Sequence, residues 1–231
     1  MTTQSLNPKH LLRDCFVICK PIYIPLLILS LPGLILSLTN RLFIEAPLLQ
    51  NGISLAYSIL IVPLFAGAAI LYIYRYFVQQ KIGLVQSLQA MFPKLAQLSL
   101  GVILLLLILI PGFVFLVIPG IYLSVRFGFA LYAIALENDS AIGGLSRSWE
   151  LVKGRWWSVF WAELAGSLTF LIPIGLIGLV IGTTLGENAA VSQNLGAVLG
   201  FLVSPFVSVY FVLLYLRLRA IEDASSTDAA A

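Results

Sequence analysis

Long uncharged runs alternate with short polar ones along the whole chain, and the length of those runs sets the architecture. One extends from about Ile22 to Leu38. A second extends from about Ile53 to Val78 and closes on Tyr72, Tyr74, Tyr76 and Phe77, an aromatic belt of the kind found at membrane boundaries. Between Leu95 and Leu136 the only charge is Arg126. As one helix that stretch would run about 60 Å, twice the hydrocarbon thickness of a bilayer, so it must fold back. The Pro111-Gly112 and Pro119-Gly120 pairs are the natural breakers, predicting a third span up to about Val117, a tight turn, and a fourth span from about Ile121 to Leu136. A fifth span from about Trp156 to Ile181 and a sixth from about Leu195 to Leu218 complete the set, with kinks at Pro173 and Pro205.

The polar connections have a pattern of their own. Asn7-Pro8 reads as a cap and first-turn proline ahead of Leu11, Leu12, Cys15, Phe16 and Cys19 on one face. Ile82 to Phe92 repeats the idea, with Leu84, Leu88 and Met91 opposite Gln86 and Gln89. So does the segment opened by Ser140, where Ile142, Leu145, Trp149 and Val152 face one way and Ser146, Glu150 and Lys153 the other. Each such amphipathic, in-plane helix precedes an odd-numbered span, which suggests three loose repeats of one in-plane helix plus two crossings. Ser87 and Ser148, Pro111 and Pro173, and Pro63 and Pro205 echo one another across the copies.

Charge sets the orientation. Lys9, Arg13 and Lys20 precede the first span; Arg75, Lys81 and Lys94 separate the second from the third; Arg147, Lys153 and Arg155 separate the fourth from the fifth; Arg217 and Arg219 follow the sixth. Only Arg41 falls on the opposite side, so the positive-inside rule puts both termini in the cytoplasm. The expected fold is therefore an all-α integral membrane protein, a single polytopic domain over residues 1–231 with six spans and three cytoplasmic in-plane helices.

Composition excludes the soluble classes. Sixty per cent of residues are apolar and 10% charged, with mean hydropathy +1.03, against roughly 25% charged in a soluble domain. Six spans of about 20 residues leave only short connections and no room for a soluble catalytic domain. A formal charge of +3, spread over several connections, does not point to nucleic acid. Cys15 and Cys19 lie one helical turn apart on the reducing side, where neither a disulfide nor a metal site is expected. Twenty polar and mixed residues precede the first apolar run, which reads as an anchor rather than a cleaved leader.

Candidate chemistry is sparse. Arg126 and Glu163 are the two charges at membrane depth, where an unpartnered charge costs roughly 2.5 to 3.5 kcal/mol. Counted at 1.5 Å per residue from the cytoplasmic ends they lie about 16 and about 10 Å deep, so they are expected to pair. The pair reads either as part of a solute or proton path or as a clasp between helices. The clasp is favoured because a path recruits more polar groups. The stretch of Arg147, Ser148, Trp149, Lys153, Arg155, Trp156 and Trp157 mixes indoles with cations at a boundary, suiting anionic lipid headgroups or simple interfacial anchoring. His10 is the single histidine, and Asp14, Asp139, Asp223 and Asp228 all fall outside the spans. That argues against a Ser-His system, a zinc helix and an intramembrane aspartate dyad, so no catalytic, metal or cofactor site is expected. Gly33, Gly112, Gly120, Gly166 and Gly175 read as close-packing or flexing positions.

The run from Pro119 to Phe160, PGIYLSVRFGFALYAIALENDSAIGGLSRSWELVKGRWWSVF, resembles the membrane domain of bacterial glycerophosphoryl diester phosphodiesterases and related six-span families of unknown function. The matching features are a Pro-Gly opening of a span that contains an arginine and Glu137 at that span's end. Leu145, Arg147-Ser148-Trp149, Leu151, Lys153-Gly154 and Trp156 then lead into the next span. In that family the phosphodiester chemistry belongs to a separate soluble barrel, so the resemblance implies a membrane module without its catalytic partner and carries over no catalytic residue. The expected function is a non-catalytic module of the bacterial inner membrane that organises lipid or supports a protein partner, which could be a second copy of the chain. The alternative is a small permease or channel using Arg126 and Glu163.

Overall fold

The computed structural model describes residues 6, 8–39, 47–137, 140–184 and 189–230, and the regular structure among them is entirely helical. The helices are α1 (Pro8–Thr39), α2 (Pro47–Phe77), α3 (Leu84–Met91), α4 (Leu95–Phe115), α5 (Val117–Phe127), α6 (Ala130–Glu137), α7 (Ala141–Val152), α8 (Trp156–Thr184) and α9 (Ala189–Ala230), with a 3₁₀ turn at Phe92–Lys94. Among the described residues six stretches are long and apolar enough to cross a bilayer: Pro8–Leu38, Asn51–Phe77, Leu84–Phe115, Val117–Glu137, Trp156–Val180 and Leu195–Ser225. The chain is a multi-pass helical membrane protein, because only such helices satisfy their own backbone groups in hydrocarbon.

Three details depart from the sequence reading. The first amphipathic segment is no separate helix but runs into the first span as the unbroken, 32-residue α1, with Pro21, Pro25 and Pro32 inside it. The reversal between the third and fourth spans falls on Leu116 alone, which is extended (φ −159°, ψ 131°), and neither Pro-Gly pair forms it. Pro111 stays within α4, and Pro119 sits in the first turn of α5, where the missing N–H has no helical partner to lose. The glycines of those pairs instead let α4 and α5 touch: a Cβ on Gly120 would lie 2.5 Å from the Phe113 ring, and one on Gly112 would lie 3.3 Å from Gly120 Cα. The third departure is that the fourth span is interrupted, with α5 ending at Phe127 and α6 starting at Ala130. Asn7 and Arg41 fall outside the described residues.

The core lies toward the end of the bundle where lysines and arginines collect. Tyr210, Tyr215, Phe129, Leu11, Ile22 and Leu26 are all but fully buried there. At the other end Phe115 and Ile118 are 82% and 80% exposed, an apolar surface suited to lipid. α1 and α9 run antiparallel through the core, the Tyr23 hydroxyl donating to Leu202 O at 2.8 Å and the Cys15 thiol to Phe206 O at 3.2 Å. Asp14 and Arg217 close their basic end as an ion pair. Cys15 and Cys19 are buried free thiols.

The amphipathic segments before the third and fifth spans are distinct helices. Ser140 caps α7, its hydroxyl accepting from Gly143 N at 3.0 Å. The buried face of α7 is made of Ala141, Gly144, Leu145, Ser148, Leu151 and Val152, whereas Ile142, expected to share a face with Leu145 and Val152, is 71% exposed. Small residues face inward because α7 lies close on α6.

Among the described residues two in the left-handed region end helices. Gly154 (φ +78°) follows α7, and Gln79 (φ +59°) follows α2, where Gln80 N bonds to Arg75 O at 2.8 Å and Gln79 N to Tyr76 O at 3.1 Å, the double bond of a Schellman turn. Gly154→Ala is expected to cost about 1 kcal/mol through backbone strain, and Gln79→Gly to gain about as much. Nothing lies within 4 Å of the Gly154 Cβ position, so a clash contributes nothing. Denaturant titration in detergent reads both changes, and equal signs would refute the assignment.

Candidate functional site

Four helix segments meet at the basic end, and their polar side chains form two adjoining clusters. The first joins α6, α7 and α9. Glu137 ends α6, Arg147 lies mid-α7, and Tyr215, Arg219 and Glu222 share one face of α9 at the i, i+4, i+7 spacing. Arg147 Nε reaches Glu137 Oε2 at 2.9 Å and its Nη2 reaches Glu222 Oε2 at 2.7 Å. The Tyr215 hydroxyl donates to Glu137 Oε1, and Arg219 stands 3.7 Å from the same oxygen. The side chains of Arg147, Glu137 and Glu222 are only 22%, 17% and 29% exposed, so these pairs are less screened than a surface bridge. Burial by itself opposes the Arg147 charge, but the hydrogen bonds to Glu222 and Glu137 outweigh it and raise its pKa above the ordinary arginine value.

The second cluster surrounds Arg126. Its Nε donates to the Tyr122 hydroxyl at 3.0 Å and its Nη1 to Trp149 O at 3.1 Å. The guanidinium carbon lies 4.4 Å from the centre of the Trp149 ring and 5.3 Å from that of Tyr122. Trp156 stacks on Tyr122 at 5.6 Å and donates its indole N–H to Tyr122 O at 3.2 Å. The expected ion pair between Arg126 and Glu163 is not formed. A tyrosine one turn earlier and a tryptophan on α7 satisfy the guanidinium locally.

Glu163 faces the interruption in the fourth span. A Cβ on Gly128 would lie 3.1 Å from Glu163 Oε1, so glycine makes room for the carboxylate. The break is held by Ser148, fully buried, whose hydroxyl donates to Arg126 O at 2.7 Å and accepts from Phe129 N at 3.1 Å. Ser87, its echo in α3, is equally buried but bonds only within its own helix, to Leu84 O at 2.7 Å.

The stretch expected to meet lipid headgroups is thus divided. Arg147 turns inward to its two carboxylates, Trp149 serves Arg126, and Trp156 packs on Tyr122. Lys153 and Trp157 are exposed and Arg155 is half-buried. Lys94 also turns inward, donating to Ala135 O at 2.8 Å and Ile134 O at 3.4 Å at the end of α6. Sequence reasoning missed the roles of Tyr215, Arg219 and Glu222. Their common face on α9 was readable, but their partners, Glu137 for Tyr215 and Arg219 and Arg147 for Glu222, lie more than seventy positions away.

Of the glycines expected to pack closely, Gly112, Gly120 and Gly166 do, the Cβ of the last falling 2.2 Å from the Tyr210 ring, whereas Gly33 and Gly175 face open space.

Residues 46–218 match a family described as a domain of unknown function, DUF7847, and the chain belongs to that family. No curated protein and no solved structure shows detectable similarity to the chain.

Proposed function

We propose that this member of the family is a non-catalytic membrane module that organises lipid or supports a partner protein at the cytoplasmic face of the bacterial inner membrane. The observation that carries the reading is where the polar groups are spent. Arg126, Arg147, Lys94 and Ser148 all bind neighbouring helices of the same bundle, which supports a rigid platform over a site awaiting substrate. The strong excess of lysine and arginine at this end supports a cytoplasmic orientation. The resemblance of Pro119 to Phe160 to the membrane domain of glycerophosphoryl diester phosphodiesterases supports the same role, a module that works beside chemistry done elsewhere.

The second reading, a permease, draws on one feature: Glu163 stands against the interrupted fourth span at Gly128, and broken helices carry ion and substrate sites in transporters. Sealed proteoliposomes separate the two. The module is expected to pass no ion or solute above empty vesicles and to emerge from mild detergent with enriched lipid or a repeatable partner. Flux abolished by Glu163→Gln would replace the first reading with the second.

A further inference from the structure

Two cavities flank the same pair of residues, Ile18 of α1 and Phe77 of α2, at the basic end of the bundle. One, of about 820 Å³, lies between α1 and the end of α2 and runs from Ile22 and Tyr72 to Lys81 in the turn that follows. The other, of about 630 Å³, lies between α1 and α9 and runs from Val17 and Leu213 to Arg13 and Arg217. Each is apolar along the spans and cationic at its mouth. Asp14 is the one carboxylate on either lining, and Arg217 holds it in an ion pair. Arg13 and Lys81 are exposed and enter none of the ion pairs among the described residues. The mouths therefore carry two uncompensated positive charges over greasy slots.

We infer that this groove binds one anionic phospholipid, its phosphate headgroup between Arg13 and Lys81 and its acyl chains in the slots on either side of Ile18 and Phe77. Charge complementarity selects the occupant. A neutral amphiphile leaves both cations without a counterpart, and a free anion leaves the apolar walls uncovered. Both volumes fall within the range of about 300–1,000 Å³ that ligand clefts occupy. The Schellman turn at Gln79 ends α2 two residues before Lys81 and so fixes where the backbone of that residue leaves the helix. This site is distinct from the Lys153, Arg155 and Trp157 boundary, and it deepens the proposed lipid-organising role by naming the lipid class and the contacts.

The test uses the full chain purified in detergent and exposed to equal amounts of phosphatidylglycerol and phosphatidylcholine, with retained lipid counted by native mass spectrometry. Wild type is expected to keep phosphatidylglycerol about tenfold over phosphatidylcholine, since each surface cation contributes on the order of a fewfold to anionic-lipid affinity. Arg13→Gln/Lys81→Gln should abolish the preference and leave the thermal midpoint in phosphatidylcholine unchanged, both side chains being exposed. Lys153→Gln/Arg155→Gln should keep it. A preference that survives the first double variant overturns this site while leaving a lipid-organising module intact, whereas wild type without any preference overturns the site and weakens the module as well. Displacement of phosphatidylglycerol by inorganic phosphate alone would also overturn it, because the apolar slots would then contribute nothing.

Discussion

Arg147→Met is expected to lower the unfolding free energy by about 3 kcal/mol, the cost of leaving a partly buried pair of carboxylates without its cation. Glu137 and Glu222 both lean on this one guanidinium. Arg219, 3.7 Å from Glu137, compensates in part and sets the loss below the upper end of the usual range. The triple variant Arg147→Met/Glu137→Gln/Glu222→Gln should recover most of the loss, because the repulsion disappears with the charges. Arg147→Lys should recover only part of the loss, since the ammonium restores the charge but, as a compact point donor, does not reproduce the rigid fork that sets Nε on Glu137 and Nη2 on Glu222. Unfolding titrations in mixed micelles measure all three. A single variant within about 0.5 kcal/mol of wild type would show that the cluster contributes no more than an ordinary surface pair.

Gly144→Val should be at least as damaging, about 3 kcal/mol or outright loss of folded protein, because α7 could no longer lie on α6. Even a single Cβ would stand 2.5 Å from Ile134 Cγ1 and 2.9 Å from the Ala130 carbonyl oxygen. The side chain can turn away, but the carbonyl cannot, with the end of α6 gripped by Lys94 at Ala135 O. Gly101→Ala supplies the contrast. Its Cβ would meet only the tips of Ile134 and Leu131, at 2.7 and 3.4 Å, so a cost of roughly 1 kcal/mol is expected. If Gly144→Ala and Gly101→Ala prove equal, backbone contact is not what limits the approach of α7. Because α7 also carries Arg147 and Ser148, displacing it should break the charged cluster and the stitch across the interrupted span together.

How much of this was legible beforehand differs by level. The spans were readable because hydrocarbon imposes a length and a polarity on each one independently of its neighbours, and Trp156 opens α8 as expected. The cap at Ser140 was readable because capping is local. The reversal at Leu116 was misplaced, because proline and glycine mark where a helix can break, and here they served a tolerated first turn and a close approach instead. The face of α7 was read only in part: the apolar stripe grouped Ile142 with Leu145 and Val152, which are buried, but closeness to α6 brought glycine, alanine and serine inward beside them and left Ile142 exposed. The partner of Arg126 was misassigned because depth along a helix says nothing about direction around it.

By itself, then, the order of residues determined that the chain is helical, that it threads a bilayer several times and which end gathers positive charge, all consequences of transferring one segment at a time between water and hydrocarbon. Only the tertiary structure decided that Arg147 clasps Glu137 and Glu222, that Arg126 rests on Trp149, and that Arg13 and Lys81 are left over at the mouth of a groove. The physical reason is that a charge chooses its counterpart by distance and direction in space, and those are set by how distant helices rotate and pack against one another.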